Sequence, residues 1–306
     1  MIPVYIPTFN NPTYTKHFIE QLINFDSIKL IILDNNSTNP KMLRLLDDID
    51  KKVEVIHLSS NQGPHFILRN KEFYESLPEI FCLSDPDMEI SKQLPLNFVT
   101  HLIDISEKYK IGKVGFALEV PMFDELREPY LNMDGKIWNM RDWEFQYWKN
   151  KIGSTEQGDD LFLTDLDTTF ALYNKKYFDS NHRYKCIRVA GRFTAKHLGH
   201  YKNSIVPQEE QEYYENTTRY SYFAGKFNEE NKPIFEISVH EYTKLTEELD
   251  SLRFNNIQLS DQNRKTNEDI QNLYNSMSWK ITIPFRNISS LIRKIRYFFK
   301  LNINKK

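Results

Sequence analysis

The sequence predicts an α/β domain, a mostly parallel β-sheet flanked by helices, followed by a C-terminal helical extension. Three observations predict it. Strand-like and helix-like segments alternate through residues 1–120. Each strand-like run ends in a polar, turn-forming cluster. From Tyr242 onward the apolar spacing changes to a heptad pattern.

Pro3-Val4-Tyr5-Ile6 is a short β-type run that ends at Pro7-Thr8-Phe9-Asn10. A helix follows, with Phe18, Leu22, Ile23 and Phe25 on one face and Asn11-Pro12-Thr13 as its start signal. Ile28 to Leu33 is an almost continuous apolar run, the pattern of a strand buried on both faces. It ends at Asp34-Asn35-Asn36-Ser37-Thr38, ahead of a helix that runs through Asp48. Val53 to Ile56 forms the third strand, and Asn61-Gln62-Gly63-Pro64 opens the next helix. Glu79 to Leu83 is the fourth strand and leads into Ser84-Asp85-Pro86-Asp87. This β-α-β-α-β-α-β order implies a parallel sheet covered by helices. Ligands of open sheets bind beyond the carboxyl ends of the strands. Four strand ends in succession carry polar residues here: Thr8 and Asn10, Asp34 and Asn36, Asn61, and Asp85 with Asp87.

Downstream, a helix is expected over Leu94–Tyr109, strands near Lys113–Leu118 and Thr168–Tyr173, and an outer helix over 208–222. Residues 120–160 are rich in aromatics, including Trp138, Trp143, Phe145, Tyr147 and Trp148, which suit either a core or the stacking of sugar rings. Tyr242, Leu245, Leu249, Leu252, Asn256, Leu259, Asn263, Thr266, Ile270, Leu273 and Met277 then occupy a and d positions. Asn256 and Asn263 fall at a, where a buried Asn favours two parallel strands, so a homodimeric coiled coil is expected. Pro284 ends this helix. Beyond it, Ile288, Leu291, Ile292, Ile295, Phe298, Phe299 and Leu301 alternate with basic residues, as in a helix lying on an anionic membrane. The expected domains are 1–236, 237–279 for the coiled coil, and 280–306 for the basic tail.

Composition narrows the chemistry. Hydrophobic residues at 40% and charged residues at 27% indicate a globular chain. No apolar run approaches the ~18 residues of a transmembrane span, and no secretory leader is expected. Cys82 and Cys186, with no C-x-x-C, point to neither a disulfide framework nor a cysteine zinc site, and to a cytoplasmic setting. None of the nine glycines lies in a G-x-G-x-x-G or P-loop motif, so phosphate must be held without a glycine cradle. The net charge is −2, but Trp279–Lys306 carries eight basic and no acidic residues. Subtracting that +8 leaves −10 on the rest, a body unsuited to nucleic acid.

Asp85-Pro86-Asp87 is the sharpest local feature. Its proline fixes the backbone between two carboxylates, which can reach one divalent cation. Mg²⁺ or Mn²⁺ takes one or two carboxylates and completes its shell with water and substrate phosphates.

Taken together, Pro3–Asn10, Leu33–Ser37, Asn61–Pro64 with Arg69-Asn70, and Ser84–Asp87 resemble the family 2 glycosyltransferases of the Rossmann-like GT-A fold. The resemblance extends to Asp165–Tyr173 and Arg188–Gly191. Ser278–Thr282, followed by Pro284, is similar to a segment of bacterial surface-polysaccharide glycosyltransferases. It implies an enzyme that moves a sugar from a nucleotide-sugar donor to a glycan or lipid-linked acceptor with inversion, peripheral on the inner face of the cell membrane. Thr8, Asn10, Asp34, Asn36, Asn61, Arg69 and Asp85 would then form the nucleotide-sugar site. Asp85 and Asp87 would hold Mn²⁺ or Mg²⁺, and His197 would be a third metal contact.

An inverting enzyme also needs a general base. The E-D pair usual in the family is missing from the expected place. Asp167 is the first candidate for that base, with Asp165 second and the Asp159-Asp160 pair behind them. Arg188, Arg192 and Lys196 are candidate diphosphate contacts. Two rival readings are a sugar-phosphate nucleotidyltransferase, which would want a glycine-rich first loop, and a non-catalytic coiled-coil scaffold.

Overall fold

The structure, a computed structural model, describes residues 1–218 except 50, 123, 124, 127–130, 134, 135, 168 and 180–183, together with 259 and 262–272. The chain divides into two units, Met1–Phe235 and Glu236–Lys306.

The first unit begins with the expected alternation. β1 (Ile2–Thr8), α1 (Pro12–Leu22), β2 (Ile28–Asp34), α2 (Pro40–Asp47) and β3 (Glu54–His57) come in order. Two short helices, α3 (Phe66–Arg69) and α4 (Lys71–Ser76), lead to β4 (Ile80–Leu83) and β5 (Met88–Glu89). α5 (Phe98–Tyr109) starts later than Leu94, because Pro95 drives the residue before it out of the helical region. β6 (Lys113–Phe116) follows, then a ribbon of β7 (Leu131–Met133) and β8 (Lys136–Trp138), then α6 (Met140–Phe145). The unit continues through β9 (Lys151–Ser154), β10 (Asp160–Asp165), β11 (Ala171–Asn174), β12 (Lys185–Val189), β13 (Lys196–His197) and α7 (Gln208–Thr217).

Nine strands form one sheet in the order β3-β2-β1-β4-β11-β6-β12-β10-β9. The first four strands are parallel, as their helical connections require. The other half is mixed. β11 runs antiparallel to both β4 and β6, β12 returns parallel to β6, and β10 and β9 are antiparallel. The fold class is the expected α/β one, and the reversals confine the parallel order to β1–β4 and the β6–β12 pair.

The apolar run of β2 is explained by burial on two faces. Leu30 and Ile32 share one core with Val4, Ile6, Phe18, Leu22 and Phe98, under α1, α2 and α5. Ile31 and Leu33 share the other with Tyr5, Ile67, Phe81 and Tyr173, under α3 and α4. Alternate side chains of one strand thus meet two layers of helices. Cys82 and Cys186 are buried free thiols.

Of the second unit, Leu259 and residues 262–272 are helical and solvent-exposed. The remainder of the expected coiled coil and the basic tail lie outside the described residues. No described helix is long and apolar enough to cross a membrane.

Candidate active site

A cavity of about 250 Å³ opens beyond the carboxyl ends of β1 and β4. Thr8, Asn61, Asp85, Asp87 and His197 all line it. Sequence reasoning missed other parts of its wall, Pro7, Phe9, Asn35, Pro64, Tyr214 and Thr218 among them.

The metal-type cluster is assembled by two strand pairings. Ser84 N–H donates to the Tyr5 carbonyl at 3.0 Å, which extends the β1–β4 pairing up to Asp85. β13 pairs antiparallel with β5, placing His197 opposite Met88, and Leu198 N–H donates to the Asp87 carbonyl at 2.7 Å. A residue 110 positions from Asp87 is thereby fixed beside it. His197 Nδ1 lies 3.6 Å from Asp87 Oδ2, and its Nε2 lies 4.0 Å from Asp85 Oδ2. One ligand atom from each of the three residues falls within 4.8 Å of the others. Two carboxylates and an imidazole suit a divalent cation such as Mn²⁺ or Mg²⁺. His200 stacks on the His197 ring at 4.3 Å. Burial first, then the neighbouring His197 and Arg188, lower the pKa of His200 well below the ordinary histidine range.

Other predicted donor-side residues stand in different places. Thr8 Oγ1 is buried on the cavity wall and makes no hydrogen bond among the described residues. Asn61 accepts from Gly63 N–H at 3.0 Å and so forms the turn that carries Pro64. Asn10 is buried behind the wall, at φ +51°, and Asn tolerates that left-handed region better than most residues. Its Oδ1 accepts from Thr38 N–H at 2.7 Å and Asn39 N–H at 2.8 Å. Asp34 is also buried, and it accepts from Ser37 N–H at 3.0 Å and meets His57 Nδ1 at 3.0 Å. Asn35, its neighbour, is the one on the wall and accepts from Gln62 N–H at 3.0 Å. Asn36 and Arg69 are exposed and lie off the wall.

The helix expected on the outside of the domain is α7, and it seats against the site. Buried Glu210 accepts from Thr13 N–H at 3.0 Å and Thr13 Oγ1 at 2.7 Å, at the first turn of α1. Asn10 Nδ2 donates to Thr217 Oγ1 at 2.9 Å. These bonds set Tyr214 and Thr218 on the cavity wall. Helical periodicity cannot report this, because the seating side chains are polar. Residues 219–222 lie outside the described residues.

The candidate bases separate clearly. Asp165 ends β10 and is exposed, whereas Asp167 lies beyond the strand, so the two do not share a strand face. Asp167 is 64% exposed, open to a substrate, and its Oδ1 lies 3.3 Å from His65 Nε2. His65 directly follows Pro64 of the cavity wall. Asp159 is clamped by Arg192, with contacts of 2.6 Å to Nη2 and 3.0 Å to the backbone N–H. Burial raises its carboxyl, the Arg192 bonds outweigh burial, and its pKa is lowered. Asp160 is paired with Lys151 at 2.8 Å. Asp159 and Asp160 therefore serve the β9–β10 edge.

The expected diphosphate cations are engaged elsewhere. Arg188 is buried against Glu144 at 2.7 Å and lies over the Tyr147 ring. Arg192 holds Asp159, and Lys196 faces Glu119 at 3.5 Å. Trp148 packs on Phe162 and donates to the Leu118 carbonyl at 3.1 Å, a core role. The side chain of Trp138 lies outside the described set.

The sequence profile of the family described as Glycosyl transferase family 2 matches residues 4–181, more than half of the chain. Solved structures also resemble it. The mannosyltransferase PcManGT from Pyrobaculum calidifontis, in complex with GDP-Man and Mn²⁺, is 11% identical, with TM-score 0.41 over 70% of this chain and 59% of that one. Residues 1–349 of TarS from S. aureus are 13% identical, with TM-score 0.40 over 65% of this chain and 60% of that one. GalNAc-T7 with UDP, GalNAc and Mn²⁺ is 11% identical, with TM-score 0.40 over 67% of this chain and 45% of that one. The chain thus spans less than two thirds of each. No curated protein matches it.

Proposed function

This chain belongs to glycosyl transferase family 2, and from that premise we propose that it moves a sugar from a nucleotide-sugar donor to a hydroxyl of a glycan or lipid-linked acceptor, with inversion. The observation that carries the reading is the convergence of Asp85, Asp87 and His197 on a cavity at the strand ends.

Asp85, Asp87 and His197 would hold Mn²⁺ or Mg²⁺, which supplies Lewis-acid neutralisation of the departing nucleoside diphosphate. Thr8 offers its hydroxyl to the donor, and Asn61 shapes the loop beside it. Asn10 and Asp34 act from behind the wall by fixing the loops after β1 and β2. Asp167 is the base that takes the proton of the acceptor hydroxyl as its oxygen attacks the anomeric carbon. The inverting outcome follows from a single displacement on the face opposite the leaving group. In the rest of the chain, 237–279 pairs two copies and 280–306 rests on an anionic membrane face. Sedimentation of the full chain, alone and with anionic vesicles, reads both assignments; a monomer that ignores the vesicles would refute them.

Asp87→Ala tests the centre. Losing a charge-neutralising ligand removes several kcal/mol of transition-state stabilisation, so Mn²⁺-dependent hydrolysis of a nucleotide sugar should fall by about 10²-fold or more. Turnover at the wild-type level in Asp87→Ala would overturn the assignment. So would failure of the folded protein to bind any nucleoside diphosphate with Mn²⁺.

A further inference from the structure

Lys113 is 1% exposed, in the middle of the sheet, on a strand whose every residue is buried. A buried ammonium is costly unless its donors are satisfied. Its Nζ donates to the main-chain carbonyls of Leu166 and Asp167, the latter at 2.8 Å, and lies 5.2 Å from the centre of the Tyr173 ring. Burial pushes its pKa down to about 8.

Two further groups converge on the same stretch. Arg188 Nε donates to the Asp165 carbonyl at 2.8 Å, so buried cations donate to three successive carbonyls, 165 to 167. Gly115 lies two residues along β6 from Lys113, on the same face of the strand. A Cβ at Gly115 would collide with the Leu166 side chain and the Phe170 carbonyl oxygen. Gly115 lets the chain approach the sheet, and Lys113 grips it there.

We propose that Lys113 is a positioning residue for the acceptor side of the site: its ammonium fixes the Leu166–Asp167 carbonyls so that the Asp167 carboxylate is presented beside His65 and the cavity wall. The proposal rests on the reading of Asp167 as the base. An apolar residue would fill the same volume without the cost of burying charge, but it would leave both carbonyls unsatisfied and Asp167 unheld.

Hydrogen exchange and kinetics on the full chain test it, with Lys113→Met and Asp167→Asn as variants. Lys113→Met is expected to speed amide exchange at residues 165–171 about tenfold or more while β1–β4 stay protected. Turnover in Mn²⁺-dependent nucleotide-sugar hydrolysis should fall about 10–10²-fold, the effect of a misplaced catalytic group. Affinity for a nucleoside diphosphate with Mn²⁺ should stay unchanged, and adding Lys113→Met to Asp167→Asn should cost little more than Asp167→Asn alone. If Lys113→Met loses protection throughout, Lys113→Gln, which keeps an N–H donor on a shorter side chain, takes its place, with the same pattern expected in weaker form. Unchanged exchange at 165–171 overturns the proposal, as does a loss of nucleotide affinity in step with turnover. Full turnover in Asp167→Asn instead overturns the base reading beneath it, and the exchange data still report whether Lys113 holds the segment.

Discussion

In the parallel half of the sheet, the loops beyond β1 and β2 are held mainly by small polar side chains, with the buried Asp34 carboxylate as the charged exception. Asn10 accepts from two backbone amides of the Thr38–Asn39 turn, Ser37 Oγ accepts from Asn10 N–H at 3.0 Å, and Asn35 accepts from Gln62 N–H. In the half that contains the reversed strands, charged side chains, most of them buried, do the equivalent work. Arg188 and Glu144 pair at 2.7 Å with both side chains buried, Arg192 clamps Asp159, and Lys113 caps carbonyls. The cause lies in the topology. Parallel strands joined by helices end in short turns that an Asn or Ser can bridge locally. The segment between β10 and β11 leaves the sheet and rejoins it antiparallel to its neighbours, so its carbonyls need long donors reaching from adjacent strands. Neutral bridges cost little to desolvate, whereas ionic ones are stable only as complete sets.

That contrast can be broken at its strongest point first. Arg188→Met leaves Glu144 buried without its cation and should destabilise the fold by about 3–5 kcal/mol in urea unfolding. Arg188→Met combined with Glu144→Leu should recover most of the loss. If the single variant costs under about 1 kcal/mol, the ionic half is no more demanding than the neutral one. In the neutral half, Asn10→Ala should cost about 1–3 kcal/mol, since Thr38 and Asn39 lose their acceptor. Asn39→Ala should cost about 1 kcal/mol, because Asn39 caps α2 by accepting from Lys41 N–H at 2.8 Å. A reversed order among these three would refute the comparison.

Legibility in the sequence follows the same division. The strand ends at Thr8, Asp34, Asn61 and Asp85 could be read because strand, turn and helix signals are local and repeat four times. The wall position of Asn35 rather than Asn36 could not, since adjacent residues in a loop differ only by which way the chain turns, and Asn36 turns outward at φ +62°. Tyr214 and Thr218 were hidden because α7 docks through Glu210 and Thr217, which read as surface residues. Lys113 was hidden for the same reason, and Arg188 was read as a diphosphate contact rather than as the buried partner of Glu144, as a charged side chain in a sequence is read as solvated.

The sequence by itself determined the alternating fold, the four polar strand ends and the Asp85-Pro86-Asp87 pair, because each depends on residues within one or two turns of chain. Only the tertiary structure decided how close the expected His197 comes to that pair, that α7 contributes Tyr214 and Thr218 to the cavity, and that Asp167 meets His65, the residue after Pro64 of the wall, whereas Asp159 is clamped by Arg192. Those outcomes depend on strand order and on buried charges finding partners across the sheet. They are set by which distant segments the packing brings together, a property no local pattern encodes.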